Sequence, residues 1–325
     1  LAEVKKKLTR EEKVQEAVNK LNKEYGKGTV ITNEILPNIE KFSSGCYSLD
    51  RILGGGWGKG RLVELIGNES SGKTTLALHA IASIQLNDGL AALVDLEHAH
   101  DPSYASNLGV NNEDLIFSQP NNAEEAISVV EGLTNSSVID LIVIDSVAAL
   151  VPKAEVEGGM DKEQMGLQAR IVSKAMRLLT GPAGKTGTTI MFLNQWRSKI
   201  GPYAGKTPSG GNSLKFYASQ RVELYREPKP IKVDGKATAI EIDVTVIKNK
   251  IAPPFKETSL RINYGQGIDK ELDLIRAAVE KEIIEKAGSW YSYNGVQLGQ
   301  GESNTCQTLR EDTKLFTEII NKLKK

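Results

Sequence analysis

Gly67-Asn68-Glu69-Ser70-Ser71-Gly72-Lys73-Thr74 has the spacing G-x-x-x-x-G-K-[ST], and residues of these types in this order bind phosphate. The glycines let the backbone curl so that successive N–H groups converge on phosphate oxygens. Lys73 would reach the β- and γ-phosphates of a nucleotide, and Thr74 would offer a hydroxyl to Mg²⁺. The flanks agree with that chemistry. The apolar run Leu62–Ile66 before the loop reads as a strand, and Thr75–Ala82 after it reads as a helix, whose N-terminal end adds positive potential at the anion.

Other polar residues fall where strands end, which is where ligands sit in open α/β sheets. Asp145 closes the apolar run Ile139–Ile144 and suits the Mg²⁺ side of such a site. Glu97 lies just past a strand at Leu90–Asp95, and Asn194-Gln195 just past one at Thr188–Leu193. A carboxylate beside the terminal phosphate can deprotonate water, and an amide can sense the phosphate. Spacing alone does not choose between Glu97 and Asp95. His98 and His100 have no third ligand at metal-binding spacing and read as surface residues.

Strand and helix signals alternate from residue 36 to about 267, with helices at Ala123–Leu133 and Met165–Leu179 and further strands at Gln220–Arg226 and Ile240–Ile247. This alternation predicts an α/β fold, a mainly parallel sheet with helices on both faces. Residues 1–35 form a separate arm. Thr9 and Glu12 make a capping box there, and Val14, Ala17, Val18 and Leu21 recur at helical spacing up to Gly26. Residues 268–325 predict a small α+β domain, with a helix at Glu271–Lys286, a hairpin at Trp290–Gly295 and a last helix at Thr313–Lys324.

Composition narrows the classes. Forty-one Lys+Arg balance 41 Asp+Glu, so any nucleic-acid site must be a local basic patch. Cys46 and Cys306 are too few for a disulfide framework, which fits a reducing, cytoplasmic setting. No apolar run approaches the ~18 residues of a membrane span. The first residues carry no apolar signal core, and Leu1 in place of Met reads as a trimmed or processed start.

Six segments taken together are far more specific than the glycine loop: Gly67–Thr75, Asp95–Pro102, Ile144–Leu150, Met165–Arg170, Gly210–Ser219 and Lys248–Lys256. In this order they resemble the RecA family of bacterial homologous-recombination ATPases, and Lys286–Tyr293 resembles that family's C-terminal domain. The resemblance implies a P-loop ATPase core of RecA type, with ATP and Mg²⁺ as ligands. It implies Glu97 as the residue that activates water and Gln195 as the γ-phosphate sensor. Thr75 joins the phosphate loop, Tyr104 stacks on adenine with Asp101 near it, and Tyr264 and Gly265 form a second segment at the nucleotide. Lys248 and Lys250 would reach the neighbouring subunit's γ-phosphate. From spacing alone, those two lysines read as a strand's solvated face.

Two segments, about 157–166 and 196–212, are polar, glycine-containing and without periodicity. A loop of 17 residues inside a compact domain is uncommon and usually functional. Arg197, Lys199, Tyr203 and Lys206, followed by Gly210, Gly211 and Asn212, suit a single strand. Cations and N–H groups meet phosphates, and a ring meets bases. The resemblance identifies both segments as DNA-binding loops, with Arg170, Ser173 and Arg177 as further contacts on one helical face. It implies single-stranded DNA and a homologous duplex as partners, a homo-oligomeric helical filament, and a LexA-type repressor whose self-cleavage is promoted. The remaining alternatives are a ring-forming helicase or motor on the same core, and a nucleotide-switched DNA-binding scaffold.

The chain also departs from that family. The second loop is two residues shorter than in typical bacterial members. Glu302 stands where a basic residue is usual, which weakens the expectation of duplex capture by the C-terminal domain. The chain ends at Leu323-Lys324-Lys325, without the family's usual acidic tail; the resemblance implies that any restraint by such a tail is weakened or achieved differently.

Overall fold

The computed structural model describes residues 9–26, 28–30, 38–158, 166–198 and 205–323. The chain divides into two units, residues 1–39 and 40–325.

In the first unit, helix α1 (Arg10–Tyr25) opens on the expected capping box. The Thr9 hydroxyl accepts from the Glu12 N–H at 3.2 Å, and the Glu12 carboxylate accepts from the Thr9 N–H at 2.7 Å. Each bond satisfies a donor that a helix start would otherwise leave unpaired. Gly26 ends the helix.

The second unit starts with β1 (Lys41–Phe42), α2 (Tyr47–Leu53) and β2 (Trp57–Gly58). Then follow β3 (Leu62–Gly67), α3 (Lys73–Gln85), β4 (Ala91–Asp95), α4 (Pro102–Asn107), β5 (Ile116–Ser118), α5 (Ala123–Asn135) and β6 (Leu141–Asp145). A 3-10 turn, Val147–Ala149, leads to α6 (Lys153–Gly158), α7 (Leu167–Thr186), β7 (Thr189–Ser198), β8 (Lys206–Pro208), α8 (Ser213–Tyr217) and β9 (Gln220–Arg226). An antiparallel wing is built from β10 (Ile231–Val233), β11 (Lys236–Asn249), β12 (Glu257–Asn263) and β13 (Gly267–Ile268). The C-terminal part comprises α9 (Lys270–Glu280), β14 (Glu285–Ala287), β15 (Trp290–Tyr293), β16 (Val296–Gln300), α10 (Gly301–Glu311) and α11 (Thr313–Leu323).

The central sheet runs β13-β12-β11-β9-β3-β7-β6-β4-β5. Its stretch from β9 to β5 is parallel, while β11, β12 and β13 pair antiparallel. Strand alternation explains the unbroken apolar runs. Leu141 and Val143 of β6 face the core shared with α3, and Ile142 and Ile144 face the core shared with α5 and α7. A strand covered on both faces must be apolar at every position. Burying each such side chain contributes roughly 1.5–3 kcal/mol. A third core gathers Leu272, Ile275, Ile284, Tyr291, Tyr293, Leu309 and Ile319 around α9 and the β15–β16 hairpin.

Three elements differ from expectation. The helix expected over 165–179 continues to Thr186 through Pro182. Buried Ala183 anchors its last turn, and Gly187 (φ 82°) caps it with an N–H to the Ala183 carbonyl. The helix expected over 271–286 stops at Glu280, because the Ile283 and Ile284 N–H groups turn back onto the Ala278 carbonyl and bury Ile284 in the third core. The second loop is a hairpin at its base, with β7 running on to Ser198 and pairing antiparallel with β8. In the first, Glu157 and Gly158 end α6.

Candidate nucleotide and DNA site

β3 and β6 deliver their last residues, and β7 its Asn194–Gln195, to one crevice at the carboxyl end of the parallel strands. Gly67 ends β3 and Gly72 caps α3. Gly72 has φ 90°, and a Cβ there would lie 2.6 Å from Ile262 Cδ1, so glycine is needed both for the turn and for the approach of β12. Lys73 Nζ donates to the Asn68 carbonyl at 2.6 Å and the Gly67 carbonyl at 3.4 Å. Burial pulls the Lys73 ammonium below its ordinary pKa, against the carboxylates of Asp145, Glu97 and Glu69.

Thr74 Oγ1 donates to Asp145 Oδ2 at 2.7 Å. Burial, above all, pushes the Asp145 carboxyl up to about 6; the Thr74 bond opposes this, and Glu97 and Asp95 reinforce it. A hydroxyl and a carboxylate side by side are the hard oxygen donors that Mg²⁺ takes together with phosphate and water, so the pair fits that ion. No cluster of three or more His, Cys, Asp or Glu forms a metal site among the described residues.

Glu97 and Asp95 have different surroundings. Asp95 is buried and accepts from the Ala99 and His100 N–H groups and from Gln119 Nε2, so it holds the loop after β4. Glu97 is exposed to the crevice and accepts from the Ser146 hydroxyl and, at 3.3 Å, from Gln195 Nε2. A proton acceptor must be open to a reacting water, and Glu97, unlike Asp95, is exposed.

Ser70–Thr75, Tyr104, Tyr264 and Gly265 line a cleft of about 310 Å³, closed by Ile240 and Ile262. Tyr104 Oη lies 2.9 Å from Thr75 Oγ1. Asp101 caps α4, accepting from the Ser103 and Tyr104 N–H groups, and so orients Tyr104. The apolar wall from β11 and β12 escaped the sequence reading, because period-2 strand residues look alike whether they face core or ligand.

Lys248 Nζ donates to the carbonyls of Lys215 and Phe216, at 2.8 and 2.9 Å, at the end of α8. Burial lowers its pKa to about 8, with Lys250 and Arg221 adding to the effect. Lys250 is exposed. Within one chain, Lys248 therefore secures the helix that follows the second polar segment.

Arg170 and Arg177 are exposed on α7, and Arg177 Nη1 donates to Ser173 Oγ at 3.1 Å. Arg197 Nε donates to Ser209 Oγ at 3.2 Å. Gly210 is buried, and a Cβ there would lie 2.8 Å from Val147 Cγ1 and 3.0 Å from Val172 Cγ2; one at Gly211 would lie 3.0 Å from Ala169. These glycines thus seat the hairpin against the start of α7 and Val147. Asn212 is exposed beside them. Lys199 and Tyr203 lie outside the described residues, as do residues 159–165 of the first segment.

Comparison with known proteins gives a consistent result. The RecA N-terminal domain matches residues 12–269 and the RecA C-terminal domain residues 272–325. The chain is 47% identical over 309 residues to Protein RecA of Syntrophus aciditrophicus, covering 93% of this chain and 90% of that protein. It is 47% identical over 315 residues to Protein RecA of Thermus thermophilus, covering 95% and 93%. Among solved structures, the crystal structure of the RadB recombinase superposes with a TM-score of 0.53 at 24% identity, over 70% of this chain and 98% of that one; this likeness bears on the fold. Two domain matches in sequence order, joined to this level of identity across the chain, mean that it belongs to the RecA family, the DNA-dependent ATPases of homologous recombination and DNA repair.

Proposed function

We propose that the protein assembles on single-stranded DNA as a helical filament, binds ATP between subunits and pairs the bound strand with a homologous duplex for exchange. One observation carries this reading. β7 brings Gln195 against Glu97 at the nucleotide end and continues through Arg197 into the hairpin with β8. Phosphate state and DNA contact therefore share one strand.

The roles follow from position. The loop Gly67–Thr75 wraps the phosphates, and Lys73 moves from its carbonyl partners to phosphate oxygens. Thr74 and Asp145 would hold Mg²⁺, which neutralises charge on the transferring phosphate. Glu97 orients a water and takes its proton. Tyr104, with Asp101 behind it, and Tyr264-Gly265 flank the base. Lys248 and Lys250 meet the neighbour's phosphates, Lys248 leaving the end of α8 to do so. Arg170, Ser173, Arg177, Arg197 and the segment around Gly210–Asn212 hold DNA, with Lys199 and Tyr203. Base pairing reads sequence, so protein contacts go mainly to the backbone.

In this reading residues 1–35 are the oligomerisation arm, 36–267 the ATPase core and 268–325 the C-terminal domain. The setting is cytoplasmic, and the filament promotes self-cleavage of a LexA-type repressor. The test is ATP hydrolysis with and without single-stranded DNA, with electron microscopy in a non-hydrolysable ATP analogue and Lys73→Ala as control. Stimulation together with open filaments is expected; unstimulated hydrolysis or closed rings would overturn the reading.

A further inference from the structure

Behind the nucleotide crevice lies a buried ion pair. Glu64 interrupts the apolar strand β3 and is 0% exposed, and Arg221 of β9 is 5% exposed. Arg221 Nε donates to Glu64 Oε2. Glu64 Oε1 accepts from Asn194 Nδ2 at 2.8 Å. Asn194 in turn holds two segments. Its Oδ1 accepts from the Gln195 N–H at 2.8 Å, and its Nδ2 also donates to the Ser209 carbonyl at 3.3 Å. Ser209 returns the connection, since its N–H donates to the Gln195 carbonyl at 3.0 Å. On the other side, Arg221 is the register partner of Lys248 across β9 and β11.

Stability alone gives no reason for this arrangement. A buried ion pair replaced by packed apolar residues is often neutral or stabilising, because desolvation offsets the attraction. The neighbours of Glu64 along β3 are all aliphatic, so an apolar residue would suit the strand. What an apolar residue cannot do is accept the Asn194 amide.

We propose that Glu64 and Arg221 are positioning residues that fix Asn194, and through it the backbones of Gln195 and Ser209, so that movement of Gln195 at the phosphate is passed to the DNA-binding hairpin. The inference rests on the proposed role of Gln195 as phosphate sensor. Arg221 holds Glu64 in one orientation, Glu64 holds the Asn194 amide, and the amide clamps both strands of the hairpin base. Without the clamp, Gln195 could still reach phosphate, but its displacement would be absorbed locally.

The test compares two double variants and one single. Glu64→Leu with Arg221→Leu removes the acceptor and both charges together. Glu64→Gln with Arg221→Gln keeps a carbonyl oxygen for Asn194. Asn194→Ala leaves the ion pair intact and removes the clamp itself. ATP hydrolysis is measured with and without single-stranded DNA, beside thermal unfolding. For the Leu pair and for Asn194→Ala, DNA-stimulated kcat should fall about tenfold or more with KM for ATP unchanged. The Gln pair should restore most of the stimulation. Full stimulation in Asn194→Ala, or an equal loss in the Gln pair, overturns the proposal even if the Leu pair fails to fold. Unstimulated wild-type protein would instead remove the functional reading itself.

Discussion

Gln195 Nε2 donates to Glu97 Oε1 across 3.3 Å, joining β7 to the loop after β4. The same oxygen accepts from the Ser146 hydroxyl. In the proposed mechanism the Glu97 carboxylate and the γ-phosphate would compete for the Gln195 amide. With the amide turned to phosphate, the carboxylate would keep Ser146 and have a lone pair open to water.

Removing the base should thus separate binding from hydrolysis. In Glu97→Gln, kcat should fall about 10²–10⁴-fold, the usual contribution of a positioned general base, while ATP still strengthens DNA binding. In Gln195→Ala the pattern should differ: ATP binds, but DNA affinity no longer responds to it. Steady-state hydrolysis together with DNA titrations in a non-hydrolysable analogue checks both. A Glu97→Gln protein that hydrolyses normally would remove Glu97 from the mechanism.

The parts of this site that the sequence made legible are those whose chemistry needs a fixed local pattern. Gly67–Thr74 carries its own geometry, and Asp145 ends a short, near-continuous apolar run of the kind a covered parallel strand shows. Spacing does not separate Glu97 from Asp95; the resemblance names Glu97, and the fold adds that Asp95 is buried and taken up by the Ala99 and His100 N–H groups and by Gln119. Glu64 was a visible anomaly, one charge within an apolar strand, but its partner Arg221 lies 157 residues away. The seating of Gly210 against Val147 and Val172 is equally non-local. The over-long expectation for α9 failed because Ile283 and Ile284 fit a helical stripe as well as they fit the third core.

His79 should make stability fall with acid. It is 2% exposed, and its Nε2 accepts the Ile268 N–H at 3.0 Å. Burial first, and Lys270 second, lower its pKa from 6.5 to about 4. Between these values the unfolded chain takes a proton that the folded chain refuses. This contribution is complete above pH 6.5 and is lost as pH falls toward 4, about 3 kcal/mol in all. Asp273 works in the opposite direction, because burial raises its carboxyl to about 6. Comparing His79→Gln with wild type isolates the histidine: the variant should lose less thermal stability between pH 6.5 and pH 4. Parallel Tm-versus-pH curves would contradict this.

Gly210→Ala should damage the DNA hairpin more than the nucleotide site. At φ +70°, with Val147 Cγ1 2.8 Å and Val172 Cγ2 3.0 Å from the added methyl, the loop must lift from α7. Overpacking of this kind costs about 1–3 kcal/mol. DNA affinity measured with a labelled oligonucleotide should drop while binding of a fluorescent ATP analogue is preserved.

Arg170 and Arg197 should each contribute to salt-dependent DNA binding. One single-strand phosphate released from its cation changes the log–log salt slope by about 0.7. Arg170→Ala and Arg197→Ala should each flatten the slope by about that amount and weaken binding similarly across sequences. Unchanged slopes in both variants would move the DNA path away from α7 and the hairpin.

Glu302 links α10 to the rest of the unit. Its carboxylate accepts from Arg261 Nη2 at 3.1 Å and from Arg276 Nε and Nη2 at 3.2 and 3.3 Å. Glu241 holds the same two guanidiniums from β11. Burial disfavours the Arg276 charge, but the bonds to Glu241 and Glu302 outweigh it and raise its pKa. The Glu302 side chain is 32% exposed, so each pair is screened and is worth below about 1 kcal/mol. Glu302→Ala should therefore lower Tm only slightly. Glu302→Lys places a third cation beside two arginines that have lost one of their two carboxylates, so it should lower Tm further. That extra loss is a repulsion between charges at a partly exposed site, and near 1 M salt the screening length contracts to about 3 Å. The gap between the Ala and Lys variants should then close as salt is raised. A gap that persists in high salt would mean that the Glu302→Lys side chain acts through bulk at the α9–α10 contact, and that the arginine pair is not what sets the sign of charge tolerated there.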